Sequence, residues 1–105
     1  MRVTATNIPV FRDYANNGRV VVFDTETTGC TVHDEICQIA AAEYVNGEQT
    51  RTLSVYVCPT CEMNPVAEQI HGLSMDFLAE QGVEPVTALE KFFDLLGQDI
   101  MLVAH

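Results

Sequence analysis

The sequence predicts an α/β fold with one mixed sheet, in the element order β-β-β-α-β. Three features predict it: an apolar run at 19–24, two strand-like segments joined by Asn46-Gly47, and a helical pattern at 86–96 before a last apolar run. A tight turn makes the second and third strands antiparallel neighbours, whereas a helical crossover makes the last strand parallel to an earlier one. We expect that earlier strand to be the first.

The strands follow from apolar runs and from alternation of apolar and polar residues. The first run is continuously apolar, which is typical of a strand buried on both faces. We expect a lead-in segment at 1–18, which ends in the turn signal Asn16-Asn17-Gly18, and a polar loop at 25–35. The predicted strands are 19–24, 36–45, 49–57 and 100–104.

Helix signals occupy the segment between the third and fourth strands. Asn64-Pro65 supplies a cap and a first-turn proline for a short helix, and Gly72 suits its left-handed end. Ser74 begins a second short helical segment, and a longer helix covers 86–96. Its apolar stripe follows helical spacing and is expected to pack in the core: Val86, Leu89, Phe93 and Leu96.

Length and charge limit the possible functions. A chain of 105 residues with 48% hydrophobic residues allows one packed domain. The net charge of −10 argues against nucleic-acid binding by a broad basic surface, but a metal site in an acidic protein can still hold a phosphodiester. The sequence contains neither a run long enough to span a bilayer nor a signal-peptide pattern, so we expect a cytoplasmic protein.

Two carboxylates stand just after the first apolar run. Because side chains alternate along a strand, Asp24 and Glu26 point the same way. Two like charges on one face repel each other unless a cation joins them. Mg2+ is the natural candidate, because it takes oxygen ligands and commonly needs only one or two protein carboxylates.

Four cysteines suit either reduced thiols or a metal site: Cys30, Cys37, Cys58 and Cys61. The last two form a Cys-x-x-Cys pair. A structural zinc normally takes four ligands, and the sequence has no second pair of this kind. Ordinary loop thiols are therefore the favoured interpretation, and metal binding by Cys58 and Cys61 stays open.

Residues 23–29, Phe-Asp-Thr-Glu-Thr-Thr-Gly, resemble the first motif of the DEDD-type 3′–5′ exonucleases. The similarity continues through 34–41, which resembles the family's second strand, and through 64–74, which resembles its Ile-His-Gly segment. Residues 102–105 resemble the opening of the family's second motif. Within this family, residues 19–105 resemble the exonucleases of the epsilon proofreading-subunit type of bacterial DNA polymerase III.

The resemblance implies a ribonuclease H-like fold and two-metal hydrolysis at a 3′ end, as in proofreading during DNA replication. The implied cofactor is Mg2+ or Mn2+, with Asp24 bridging two ions and Glu26 binding one. The implied partners are a single-stranded 3′ end of DNA and a DNA polymerase subunit, and an RNA-directed relative stays open. The implied substrate-binding residues are Thr25, Thr27, Thr28, His71 and His105, with Gly29 allowing a tight turn.

The family's remaining catalytic residues have no counterpart in the 105 residues. These are the aspartate of the second motif and the histidine and aspartate of the third. We therefore expect 19–105 to be the N-terminal portion of an exonuclease domain, C-terminally incomplete, with no hydrolysis from it alone. Whether the chain is an enzyme, a non-catalytic fragment or a binding module of the same fold stays open.

Overall fold

The computed structural model of the protein describes residues 16–98 and 100–104. Most of the expected lead-in at 1–18 lies outside the described residues, and so does His105. The strands in the described part form one four-stranded sheet: β1 Arg19–Thr27, β2 Ile36–Val45, β3 Glu48–Tyr56 and β4 Met101–Ala104.

The sheet has the spatial order β3-β2-β1-β4, so β1 is a central strand. β1 pairs antiparallel with β2, and β2 pairs antiparallel with β3. β4 pairs parallel with β1, with Val20 opposite Met101. Asn46 and Gly47 turn the chain between β2 and β3 with φ angles of 52° and 84°, the combination typical of a type I′ hairpin. The predicted mixed sheet is confirmed.

The first strand is longer than its apolar run. The sequence predicts a loop from Thr25 onward, but β1 continues through Thr27, because its backbone pairs with β2 up to that point. The β-branched threonines suit a strand. Asp24 and Glu26 therefore both lie within the strand, on the same side of the sheet.

Three helices separate β3 from β4: α1 Pro65–His71, α2 Met75–Gln81 and α3 Pro85–Leu96. The predicted caps are present: the Asn64 side chain accepts a hydrogen bond from the backbone N–H of Val66 at 2.8 Å, and the Ser74 hydroxyl accepts one from Phe77 at 3.1 Å. Gly72 ends α1 with φ 74°. Among these helices, none is long and apolar enough to cross a membrane.

The main core lies between α3 and one face of the sheet. Ala88, Phe92 and Leu95 are the buried residues of α3. The Phe92 ring lies 5.4 Å from the ring of Phe23, centroid to centroid, and Val21 beside it is fully buried. The helix thus covers the face of β1 opposite to Asp24 and Glu26.

The stripe expected to be the core face of α3 is largely exposed. Val86, Leu89 and Phe93 expose 58%, 40% and 60% of their surface, and only Leu96 packs against the core. The helix is apolar on two adjacent stripes, and the smaller Ala88 allows it to approach the sheet closely. The sequence prediction chose the stripe with the larger side chains, and it is wrong for Val86, Leu89 and Phe93.

A buried carboxylate joins the C-terminal end of α3 to the sheet. Glu43, on β2, is 4% exposed and bonds to Arg19 at 2.6 Å, to Arg51 at 2.7 Å and to Thr50 at 2.6 Å. Arg19 also donates to the backbone oxygen of Leu95 at 2.9 Å. Hydrogen bonds from Arg51, then from Thr50 and Arg19, hold the pKa of Glu43 far below its usual range.

Candidate functional site

The carboxyl-terminal part of β1 presents two acidic side chains on one face. Asp24 is exposed and Glu26 is half-buried. Their partners across the strand pair on β2 are Ala40 and Gln38, neither of which is basic. The pairing register shifts between Glu26 and the next residue, and such irregularities redirect side chains near functional sites.

The loop after β1 is held by the hydroxyl of Thr28, which is fully buried. This hydroxyl donates to Asp34 Oδ1 at 2.8 Å and accepts from the backbone N–H of Glu35 at 3.0 Å. Asp34 in turn accepts from the backbone N–H and the hydroxyl of Thr31, at 2.8 and 2.7 Å. The bonds from Thr31, then that from Thr28, lower the pKa of Asp34. These hydrogen bonds therefore hold the loop that leaves β1 in one conformation.

Gly29 is required at its position for space. A Cβ atom there would lie 2.6 Å from Asp34 Oδ2, which is too close for any side chain unless Asp34 moves and gives up its bonds. The family resemblance implies a tight turn at Gly29. Its conformation is not left-handed, unlike that of Gly47 and Gly72, so close approach of the loop is the physical reason for glycine.

The segment 61–73 packs against the end of β1. The backbone N–H of Asn64 donates to the Thr28 carbonyl oxygen at 2.8 Å, and the Cys61 sulfur lies 3.1 Å from the Thr28 hydroxyl. His71 Nε2 lies 3.0 Å from the Thr27 carbonyl oxygen. Contacts from this later segment therefore hold Thr27 and Thr28, the two residues that directly follow Glu26.

A cavity of about 350 Å³ opens beside Glu26. Its walls are residues 25–27 of β1, residues 29–31 of the loop, and a face of α1 that carries Val66, Ile70 and His71. Val66 and Ile70 are 64% and 78% exposed, so they give this cavity an apolar side opposite its polar one. Its size lies in the range of small-molecule pockets.

Two further titratable groups, Cys37 and Glu35, have shifted pKa values. Cys37 is fully buried, and burial, followed by the nearby charge of Glu26, raises the pKa of its thiol to about 11. Glu35 accepts hydrogen bonds from Thr60, its hydroxyl at 2.8 Å, and from Cys61, and these bonds lower the pKa of Glu35. Cys37 is therefore an un-ionised thiol near neutral pH, whereas Glu35 carries its negative charge.

The structure brings together most of the residues that the sequence predicts for the site. Thr25, Thr27 and His71 line the cavity with Glu26, and Asp24 lies two positions before Glu26 on the same strand face. Thr28 does not line it, because its side chain is buried and bonded within the loop. Predicted contacts of these residues with a substrate stay predictions, as does that of His105, which lies outside the described residues.

Sequence reasoning missed the residues that support the site from behind. Asp34 and Cys61 both bond to Thr28 but had no assigned role. The spacing from Thr31 to Asp34 is that of a local side-chain-to-backbone turn, which is a signal available in the sequence. The contact of Cys61 is tertiary and has no such signal.

The described residues contain no group of three or more His, Cys, Asp or Glu side chains arranged to hold a metal ion. The Cys58 and Cys61 thiols are both free. The acidic pair nevertheless fits Mg2+, which commonly takes one or two protein carboxylates and fills its remaining positions with water and substrate phosphate. Asp24 and Glu26 supply that number of carboxylates.

A protein-family model matches most of the chain. The family model RNase_T, described as exonuclease, matches residues 21–105. The chain belongs to this exonuclease family. The match covers the acidic strand, the loop and α1, so it includes every element of the site described above, and the resemblance seen in the sequence is confirmed.

Two curated relatives in this exonuclease family are longer proteins. The 3′–5′ exonuclease DinG of Bacillus subtilis (strain 168) is 39% identical over 93 residues, which are 86% of this chain and 10% of DinG. The PolC-type DNA polymerase III of Streptococcus pyogenes serotype M5 (strain Manfredo) is 30% identical over 86 residues, which are 81% of this chain and 6% of that protein. The chain therefore spans a tenth or less of each relative.

Solved exonuclease structures share the fold. Exonuclease I of E. coli in complex with a 5cy-dA13 oligonucleotide matches with a TM-score of 0.74 and 18% identity, over 80% of this chain and 20% of that one. Exonuclease I from Methylocaldum szegediense matches with a TM-score of 0.76 and 16% identity, over 83% and 20%. The predicted ribonuclease H-like sheet is thus confirmed.

Proposed function

We propose that residues 19–105, which follow a lead-in segment at 1–18, form the part of a 3′–5′ exonuclease site that binds the metal ions and the nucleotide. The proposed substrate is DNA. The observation that supports this proposal best is the position of the cavity. It opens beside Glu26, between the loop after β1 and α1. Asp24 lies two positions before Glu26 on the same strand face, so a nucleotide with its phosphate at the Glu26 side of the cavity would face the metal ion that this pair holds. The names of the relatives, a 3′–5′ exonuclease and a DNA polymerase, support the same reaction.

Each part of the site has a distinct role in this proposal. Asp24 and Glu26 hold Mg2+ or Mn2+, which when bound supplies an activated water and stabilises charge on the phosphate oxygens. The backbone and hydroxyls of Thr25 and Thr27 contact the sugar at the 3′ end. The apolar wall of α1 excludes water from one side of the terminal nucleotide, through Ile70 above all.

The 105-residue chain is expected to bind without cutting. The described residues bring two carboxylates to the site and no third ligand. We therefore propose that hydrolysis and proofreading require the family's remaining motifs as well, and that they take place in the cytoplasm and in association with a DNA polymerase. The PolC-type relative supports the last point.

Binding of Mn2+ and a mononucleotide tests the proposal. In ¹H–¹⁵N spectra of the chain with thymidine 5′-monophosphate, we expect Mn2+ to broaden the amide signals of residues 24–31 and 66–71. Asp24→Asn and Glu26→Gln should each abolish the effect. Glu48→Gln, the same change of charge at an exposed position of β3, should leave it intact. Equal broadening in all four proteins would refute the site.

Two further measurements separate the alternatives. Ribothymidine 5′-monophosphate differs from the DNA nucleotide by one hydroxyl, so its tighter binding would favour an RNA-directed enzyme. The chain is also incubated with a 3′-labelled oligonucleotide and Mg2+. Release of label that disappears in Asp24→Asn would contradict the expectation of binding without hydrolysis, whereas binding alone agrees with it.

A further inference from the structure

The imidazole of His71 makes two hydrogen bonds that together fix its protonation pattern. Nε2 lies 3.0 Å from the Thr27 carbonyl oxygen, and a carbonyl only accepts, so Nε2 carries a hydrogen. Nδ1 accepts from the backbone N–H of Leu73 at 3.0 Å, so Nδ1 carries none. The ring that satisfies both contacts is the neutral Nε2–H tautomer.

These two bonds join elements that are far apart in the sequence. Thr27 is the last residue of β1 and follows Glu26 directly, whereas Leu73 follows the left-handed end of α1 at Gly72. The half-buried ring also lies 4.0 Å from the Cys37 sulfur, at the floor of the site. His71 thus connects the acidic strand, the apolar helix wall and the buried layer beneath them.

We propose that His71 is a positioning residue. As a neutral Nε2–H imidazole, it holds the end of β1, and with it the Glu26 carboxylate, in a fixed position relative to the face of α1 that lines the cavity. Both ring nitrogens are used within the protein, so this role differs from the direct substrate contact expected from the sequence. The inference rests on the proposed function for the importance of Glu26, but the hydrogen bonds of the ring are independent of it.

Three substitutions separate the two bonds. In His71→Gln the amide nitrogen reaches the place of Nε2 and keeps the donor to Thr27. In His71→Asn the amide oxygen stays near the place of Nδ1 and loses that donor. His71→Phe keeps a ring of similar size and loses both bonds. His33→Gln, at an exposed loop histidine, is the matched control.

Imidazole nitrogen spectra and amide exchange test the bonds in the 105-residue chain without metal. At pH 7.5 we expect the nitrogen shifts of His71 to show the Nε2–H tautomer. The Leu73 amide should exchange slowly in the wild type and in His71→Asn, but quickly in His71→Gln and His71→Phe. An Nδ1–H tautomer, or a charged ring at this pH, would overturn the proposal.

Mn2+ titration with thymidine 5′-monophosphate tests the positioning. Loss of groups that orient ligands commonly weakens metal binding by 10–100-fold, and we expect about tenfold for His71→Phe and His71→Asn. His71→Gln should recover most of the affinity, and His33→Gln should match the wild type. If His71→Phe does not fold, the contrast between His71→Gln and His71→Asn carries the test.

The two proposals fail in different ways. If the wild type shows the Nε2–H tautomer but binds no Mn2+, the proposed function is wrong, and with it the role of His71 toward the metal. If the wild type and folded His71→Phe bind Mn2+ equally, the proposed function stands and only the positioning role is wrong.

Discussion

Replacing Glu43 with glutamine should destabilise the fold more than any other single loss of charge on β2 or β3. The carboxylate accepts hydrogen bonds from Arg19, Arg51 and Thr50, at distances between 2.6 and 3.1 Å. Both arginines bond to Oε2, and Oε1 accepts from Arg51 Nε and the Thr50 hydroxyl. A glutamine of the same shape that keeps its oxygen at the Oε2 position turns its amide N–H₂ against the Nε–H of Arg51. The two arginines then lose the negative charge between them, at a position where the replaced side chain is 4% exposed.

The size of the effect follows from burial. Removing one partner of a buried ion pair costs about 3–5 kcal/mol, because the other charge stays unpaired. The side chains of Arg19 and Arg51 are 25% and 55% exposed, so water screens part of their charge. We therefore expect the lower end, about 3 kcal/mol. For a domain of this size that loss lowers Tm by more than about 10 °C.

The pH dependence of this loss has a defined sign. Because folding lowers the pKa of Glu43 below its ordinary value of 4.5, its contribution is complete above that pH and is lost as the pH falls further. Urea unfolding of wild type and Glu43→Gln should give equal gaps at pH 7 and 5.5 and a smaller gap at pH 3.5. Glu48→Gln, which is exposed, should show almost no gap. A gap below about 1 kcal/mol at pH 7, or one that widens in acid, would refute the reasoning.

Three further changes test the loop, the core and the thiols. Thr28→Val removes a buried hydroxyl with three partners and should cost about 2 kcal/mol in urea unfolding; a neutral result would mean that the loop bonds contribute nothing. Phe92→Ala should cost about 3–5 kcal/mol and Phe93→Ala far less, and the reverse order would place the other stripe of α3 in the core. Iodoacetamide should modify exposed Cys30 well before Cys37, whose burial raises its pKa to about 11, as mass spectrometry of timed digests would detect.

Local signals account for most of the fold that the sequence predicts. The Asn46-Gly47 turn, the Asn64 cap and the Gly72 helix end each depend on neighbours within a few residues, and all three are confirmed. The acidic pair is similar: alternation along one strand is enough to place Asp24 and Glu26 on the same face.

Tertiary contacts account for what the sequence did not predict. The stripe of α3 that faces the sheet depends on how closely the small Ala88 allows two elements to approach, which no periodicity records. The two arginines of the Glu43 site lie 24 residues before it and 8 after it. The ring of His71 finds its acceptor 44 residues earlier in the chain, so its positioning role was not visible from the spacing of motif residues.

The parallel pairing of β4 with β1 affects how the protein forms during synthesis. β1, β2 and β3 are complete once residue 56 has been made, but the partner for the other edge of β1 begins only at Met101. At roughly 5–20 residues per second, a ribosome needs about 2–9 s for the intervening stretch. During that interval the strand that carries Asp24 and Glu26 has an open edge in the nascent chain, where unpaired backbone is a template for wrong strand pairing.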